Sequence, residues 1–229
     1  MSASTEPGLR GPNAEPRLCP DPVVDRIELG EGAWVDLVRG FVESPLPLYE
    51  SLVNGVSWSQ GRIFRYERWQ EEPRMGAWFG LDGTVPDPLL VDATRWLTHH
   101  YGVRFGGFAL AWYRNGRDSQ AFHRDRDLRY LDETVIAVLS LGVRRPWLLR
   151  PRGNRYRHEL EAGGATHDLA PGPGDLLVMG GRCQADWEHS VPKVPTPIGG
   201  RISVQWRWTS RRGRPVEGAS YRAPRHFSR

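Results

Sequence analysis

The sequence predicts a mostly β protein in which helices flank a sandwich or barrel of short strands, an α+β class. Two observations lead to this prediction. Helical spacing of apolar residues is confined to the first 103 residues, and from residue 104 onward short strand-like runs alternate with turns rich in Gly, Pro and Asn. A series of short strands without intervening helices is typical of sandwiches and barrels.

The two ends of the chain are predicted to be tails. Residues 1–25 are rich in Pro, Gly and Ser and contain no apolar segment of the kind that an export signal needs. We therefore expect a disordered N-terminal tail and a cytoplasmic protein. Residues 210–229 are predicted to form a basic, mobile C-terminal tail.

Helical patterns occur in three segments of the first half. Residues 30–42 and 45–58 have apolar residues three and four apart, as in short amphipathic helices. Residues 87–102 form the clearest pattern, because Asp and Pro stand at its start and Gly follows its end. Together with an aromatic and basic segment at 61–80, these helices define an N-terminal region over residues 26–103.

Strand-like runs make up the predicted core, residues 104–209. They are apolar or alternating stretches of four to ten residues bounded by turn residues. The segments that contain them are 105–114, 134–142, 146–152, 166–181, 187–194 and 201–208.

Composition favours a soluble protein whose basic side chains are almost all arginine. The chain of 229 residues is 39% hydrophobic and has no apolar run near the ~20 residues that cross a bilayer. Its formal charge is +4, and Lys193 is its only lysine. Arginine suits phosphate recognition because its planar fork engages two oxygens at once. A GC-rich genome that favours Arg codons explains the bias equally well.

The segment AFHRDRDLRY, residues 121–130, contains a His-X-Asp pair. In an extended segment residues i and i+2 point the same way, so His123 and Asp125 converge, although a solvated loop is an alternative interpretation. Fe(II) oxygenases commonly use two His and one carboxylate. Among the other histidines, His189 follows a Gly-rich turn and a strand, which makes it the candidate third ligand. The remaining five are expected to be surface or packing residues: His99, His100, His158, His167 and His226.

The segment RISVQWR, residues 201–207, places two arginines on one face of a strand. Arg201, Ser203, Gln205 and Arg207 alternate with Ile202, Val204 and Trp206. Buried guanidinium groups are costly without anions, so two inward arginines predict negative charge beside them. An edge strand with solvated arginines is the alternative.

The combination of His-X-Asp, a distant His and Arg-X5-Arg resembles the AlkB family of Fe(II)/2-oxoglutarate dioxygenases, which repair alkylated bases. The resemblance covers residues 60–208 and includes PRMGAWFG, YRNGRDSQAFHRD, GDLLVMGG and WEHSVP. It implies a double-stranded β-helix (jelly-roll) core, a nucleotide-recognition region within residues 26–103, and Fe(II), 2-oxoglutarate and O₂ as requirements.

Several residue roles follow from the resemblance. It implies that His123, Asp125 and His189 bind iron, and that Arg201 and Tyr113 hold the distal carboxylate of 2-oxoglutarate. Arg207 is expected to reach the other end of the cosubstrate or Asp125. Ser203, a further candidate for cosubstrate binding, stands where the family has an Asn between the two arginines. Ala111 replaces an Asn that hydrogen-bonds the cosubstrate in many members, which weakens the expectation for cosubstrate affinity.

The resemblance also implies alkylated DNA as the partner, with RNA as a second candidate. A methylated base must leave the duplex to reach iron, so aromatic walls are expected from Trp78 or Phe79, with Asp127 at the base edge. Core packing is the alternative role for both aromatic residues. Arg124 and Arg126, with Arg129, are expected to contact phosphates unless they form a solvated face. No obligate protein partner is evident, which favours a monomer.

Two other functions stay open from the sequence. One is an oxygenase of the same fold that hydroxylates a protein or a small molecule. The other is a non-catalytic nucleic-acid-binding module, which the missing Asn at Ala111 suggests.

Overall fold

Two facing antiparallel sheets and two longer helices form the protein, for which a computed structural model describes residues 14–65, 67–125, 128–152, 165–213 and 215. The elements described are β1 (Arg17–Leu18), β2 (Asp25–Gly30), β3 (Ala33–Val38), β4 (Val42–Glu43), α1 (Leu46–Gly55), β5 (Ser59–Arg65), β6 (Arg68–Gly80), α2 (Pro88–Tyr101), β7 (Gly107–Tyr113), β8 (Gln120–His123), β9 (Thr134–Gly142), β10 (Leu148–Pro151), β11 (His167–Asp168), β12 (Leu176–Gly181), α3 (Cys183–Asp186), β13 (Trp187–Val191) and β14 (Arg201–Thr209).

The larger sheet has the strand order β2-β3-β12-β9-β14-β7-β6-β5, and the smaller sheet has the order β11-β10-β13-β8. Strands β1 and β4 form a separate pair. The two sheets pack through the apolar side chains of their facing surfaces, such as Ile136 on β9 and Leu149 on β10. This two-sheet arrangement confirms the predicted jelly roll.

The helices cover the outer face of the larger sheet. Their buried side chains, including Leu52 and Leu97, join one apolar cluster with Val204 and Trp206 of β14. The indole of Trp206 also donates a hydrogen bond of 2.8 Å to the Thr94 hydroxyl on α2. The inner face of β14 is thereby left for the space between the sheets.

The predicted helices at 45–58 and 87–102 are confirmed as α1 and α2. Asp87 caps α2 by accepting a hydrogen bond from the backbone N–H of Leu89 at 2.9 Å. Gly102 ends the helix in the left-handed conformation, with φ of 65°. None of the helices in the described ranges is long and apolar enough to span a membrane.

The helix predicted at 30–42 is wrong, because residues 33–38 form strand β3 in the larger sheet. Both faces of β3 are covered, so the period-2 alternation of an exposed strand is absent. Its one acidic side chain, Asp36, is fully buried between the guanidinium of Arg26 and the hydroxyl of Tyr101. A run without alternation does not distinguish a buried strand from a helix.

Two predicted boundaries also differ from the structure. The N-terminal tail was expected through residue 25, yet Arg17–Leu18 pairs with β4. The core was expected to begin at residue 104, yet the larger sheet includes β2, β3, β5 and β6. The segment 61–80, which has no element assigned from the sequence, forms most of the β5–β6 hairpin at one edge of that sheet. Residues 1–13, and most of 210–229, lie outside the described part of the chain.

Candidate metal and cosubstrate site

The three predicted ligands meet at the edge of the smaller sheet. His123 ends β8 and pairs directly with His189 on β13, and Asp125 follows two residues after His123. One ligand atom from each of the three lies within 4.8 Å of the others. These three residues therefore form a group that can hold one metal ion.

Hydrogen bonds fix the ring of His123. Its Nδ1 lies 2.9 Å from the carbonyl oxygen of Ala121 and 3.0 Å from that of His189. Carbonyl oxygens only accept, so Nδ1 carries the proton and Nε2 keeps its lone pair. Nε2 in turn lies 4.0 Å from the Asp125 carboxylate.

Burial keeps both histidines neutral. It lowers the pKa of His123, and it lowers the pKa of His189 to about 3. The indole of Trp147 stacks on His189 with ring centroids 5.2 Å apart and an angle of 10°. Neutral imidazoles held in place by packing and hydrogen bonds are the form that binds a metal.

Asp125 is buried and remains ionised. Burial raises its pKa, but the charge of Arg207 and a hydrogen bond from Arg207 outweigh it and hold the pKa well below its usual range. The bond from Arg207 Nη2 to Asp125 Oδ1 is 3.2 Å. This set of two imidazoles and one carboxylate matches the facial triad that holds the metal in Fe(II) oxygenases.

Arg201 provides a buried cation on the inner face of β14. Its side chain is fully buried, and its Nε donates to the Ser140 hydroxyl at 2.8 Å. Nη1 and Nη2 have no hydrogen-bond partner among the described residues. Burial lowers the pKa of Arg201 to about 10, so it stays charged at neutral pH. A carboxylate of 2-oxoglutarate fits this fork.

The other predicted cosubstrate residues surround Arg201. Tyr113 lies directly opposite Arg201 on β7, with the guanidinium 5.8 Å from its ring. Ser203 lies opposite Ala111 and beside Ser140. The structure thus brings together the residues predicted for the metal and the cosubstrate.

The two candidate aromatic residues for base stacking lie on opposite faces. Trp78 on β6 pairs with Ala109 on β7, and Ala109 pairs with Gln205 on β14. Paired residues share a face of the sheet, so Trp78 lies on the inner face with Arg201 and Arg207. Trp78 is 58% exposed. Phe79 packs on Phe108 with ring centroids 5.7 Å apart, in the outer core. The expectation that Phe79 lines a base pocket is therefore wrong, because strand alternation turns it away from the metal.

The predicted phosphate and base-edge contacts are only partly described. Arg124 is half-buried and follows β8 next to the metal ligands. Arg126 and Asp127 lie outside the described residues.

Sequence reasoning missed two arginines at this site. Met75 on β6 pairs with Trp112 on antiparallel β7. Their neighbours Arg74 and Tyr113 therefore lie opposite each other and share one face of the sheet. The charge of Arg74 adds to burial in lowering the pKa of His123 and His189.

Arg145, only 2% exposed, donates to the carbonyl oxygens of Asn115, Asp118 and Pro192 at 3.1, 2.8 and 2.7 Å. No sequence signal distinguishes this buried arginine from its exposed neighbour.

Comparison with known proteins agrees with this geometry. Residues 84–207 match the model of the 2OG-Fe(II) oxygenase superfamily. The chain is 30% identical to the bovine alpha-ketoglutarate-dependent dioxygenase alkB homolog 3 over 76% of its length and 65% of the relative. It is 32% identical to the Arabidopsis thaliana DNA oxidative demethylase ALKBH2 over 46% of its length and 38% of that protein.

The fold is shared more widely. A prolyl hydroxylase from Trichoplax adhaerens, solved with a hypoxia inducible factor peptide, superposes with a TM-score of 0.54 at 15% identity, covering 76% of this chain and 83% of the other. At that identity the likeness concerns the fold alone. The family match, the relatives and the His-Asp-His site agree: the chain belongs to the 2OG-Fe(II) oxygenase superfamily and, within it, to the AlkB family of Fe(II)-, 2-oxoglutarate- and O₂-dependent dioxygenases.

Proposed function

We propose that this enzyme removes alkyl groups from N-alkylated bases of DNA, with RNA as a second candidate substrate. The observation that carries the proposal is Trp78, an exposed indole on the same face as the metal-site arginines. Adjacent strands are about 4.8 Å apart, so Trp78 and Gln205, two strands away, stand about 10 Å apart. Gln205 accepts a hydrogen bond from Arg207, which binds Asp125.

An exposed tryptophan at this position suits a flipped base. Aromatic side chains stack on any base, and stacking is worth about 1–3 kcal/mol per base. Flipping costs a few kcal/mol and costs least where alkylation already blocks pairing, so damaged bases are favoured. The relatives support the same substrate class, since one of them is a DNA oxidative demethylase.

Each side chain has a separate role in the proposed reaction. His123, Asp125 and His189 hold the iron, and Arg201 pairs with the distal carboxylate of 2-oxoglutarate, near Tyr113. Arg207 keeps Asp125 ionised and oriented. We assign Arg124, which follows β8 beside the metal ligands, to a phosphate next to the flipped nucleotide, a contact that would add affinity without sequence preference.

Iron, 2-oxoglutarate and O₂ supply the oxidation when bound: one oxygen atom enters the N-methyl group and the other enters succinate, with loss of CO₂. The hydroxymethyl group then leaves as formaldehyde and the nitrogen regains its proton. The protein needs no nucleophile for this step.

The test is anaerobic reconstitution with Fe(II), followed by O₂, 2-oxoglutarate and a panel of N-methylated DNA and RNA oligonucleotides. Mass spectrometry of the products is expected to show loss of the methyl group from at least one single-stranded oligonucleotide. Turnover of 2-oxoglutarate without methyl loss from any oligonucleotide would contradict the proposed substrate.

A further inference from the structure

Gln184 is a fully buried amide that lies next to the metal site. It belongs to the short helix α3 and precedes the ligand His189 by five residues. A carboxamide buried without hydrogen bonds costs several kcal/mol in an apolar environment. The hydrogen-bond partners of Gln184 therefore indicate its role in the structure.

The strong hydrogen bond of Gln184 goes to an iron ligand. Its Oε1 accepts from the backbone N–H of Asp125 at 2.9 Å. Its Nε2 lies 3.8 Å from the sulfur of Met179, a weak acceptor. Asp125 is thus held at both ends, by Gln184 at its backbone and by Arg207 at its carboxylate.

The sheet alone holds this segment weakly. Strand β8 has four residues and lies at the edge of the smaller sheet, paired only with β13 in the described part of the chain. Its register with β13 is irregular between His189 and Val191. Asp125 lies beyond the last residue of β8, and no strand pairing among the described residues includes it. Its carbonyl oxygen accepts a turn hydrogen bond from the backbone N–H of Leu128 at 3.3 Å, within the same segment. The hydrogen bond to Gln184 ties the Asp125 backbone to a different element of the fold.

We propose that Gln184 is a positioning residue for the iron centre. It ties the backbone of Asp125 to the segment that also carries His189, so that two ligands from separate strands keep a fixed relation. Losing a hydrogen bond that orients a metal ligand typically lowers metal affinity about 10- to 100-fold. The inference rests on the iron-ligand assignment and is independent of the nucleic-acid substrate.

The test compares Mn(II) binding, followed by electron paramagnetic resonance, in apo-protein variants. Gln184→Met keeps the volume of the side chain but removes the strong acceptor, and it is expected to weaken Mn(II) binding about tenfold or more. Gln184→Glu keeps an acceptor oxygen and is expected to bind within about threefold of wild type. Cys183→Ala is the matched control, since Cys183 is the preceding buried residue on the same helix.

Each outcome decides a different point. Mn(II) affinity of Gln184→Met within about twofold of wild type, or an equal loss in Cys183→Ala, would overturn the positioning role. If Gln184→Met does not fold, a tenfold loss in Gln184→Glu overturns the role. Wild-type protein that binds no Mn(II) would overturn the ligand assignment, whereas metal binding without oligonucleotide turnover would overturn only the substrate.

Discussion

Arg207 donates a hydrogen bond of 3.2 Å to the carboxylate of Asp125, although the two residues are 82 positions apart in the chain. The pair joins β14, the strand that also carries Arg201, to the segment that carries His123. The metal site and the cosubstrate site are therefore parts of one network.

Replacing Arg207 with Met is expected to weaken metal binding. Without the guanidinium, burial raises the pKa of Asp125 and its carboxylate loses a charge-assisted bond worth about 1.5–3 kcal/mol, or about tenfold or more in affinity. Mn(II) titration of the apo-protein measures this loss. Arg39→Met, which removes an arginine paired with Asp175 instead, is the control and should bind like wild type.

The Arg201→Met variant is expected to lose stabilisation by 2-oxoglutarate. A ligand at a hundred times its Kd stabilises wild type by about 2.7 kcal/mol, which raises the melting temperature of a chain this long by about 5–10 °C. Because the variant no longer buries a charge, its melting temperature without ligand should equal or exceed that of wild type. If 2-oxoglutarate raises the melting temperature of the variant as much as that of wild type, the assignment of Arg201 to the cosubstrate carboxylate is wrong.

Arg145→Met is expected to destabilise the fold around the metal ligands. Asp118 precedes β8 and Pro192 follows β13, so the Arg145 guanidinium joins the ends of the strands that carry the two histidines. Losing these three hydrogen bonds leaves buried carbonyl oxygens without donors. The free energy of unfolding, measured with urea, should fall by about 3 kcal/mol. Arg144→Met is the matched control: its side chain is 54% exposed and its ion pair should contribute less than about 1 kcal/mol. A loss in Arg145→Met no larger than that in Arg144→Met would show that the buried Arg145 bonds stabilise the fold no more than an exposed ion pair does.

Alanine substitutions at Trp78 and Phe79 should separate substrate binding from packing. Trp78→Ala is expected to raise the KM for a methylated oligonucleotide about fivefold or more, with unchanged stability, because an exposed stacking surface is lost. Phe79→Ala should lower the free energy of unfolding by about 2 kcal/mol, because Phe79 packs on Phe108. The reverse pattern would place the base on the other face of the sheet.

Periodicity and end signals predicted some elements but not others. The α2 helix has a cap, a proline and a terminal glycine, so its limits followed from local chemistry. Strand β3 has no such signals, and its coverage on both faces removed the alternation that identifies strands. The β5–β6 hairpin depends on pairing with β7, which is tertiary information.

The same distinction applies to the site. The spacings of His123 and Asp125, and of Arg201 and Arg207, place each pair on one face of an extended segment. His189 was identified by the Gly-rich turn and the strand before it. The structure brings these residues together. Arg145 and Gln184 have ordinary neighbours in sequence, and only the packing of distant strands gives them their partners. The choice between Trp78 and Phe79 depended on the register of β6 with β7, which sequence alone does not fix.

The most direct test of the central claim is the stoichiometry of turnover on a single-stranded oligonucleotide with one N-methylated base. Wild-type enzyme loaded with Fe(II) is predicted to release succinate and formaldehyde in equal amounts and to restore one base for each. His123→Ala, Asp125→Ala and His189→Ala should each abolish all three products, because three ligands leave no spare donor, while His99→Ala, an exposed change on α2, should not. Full activity in any of the three ligand variants, or succinate formed with every methyl group retained, would contradict this account.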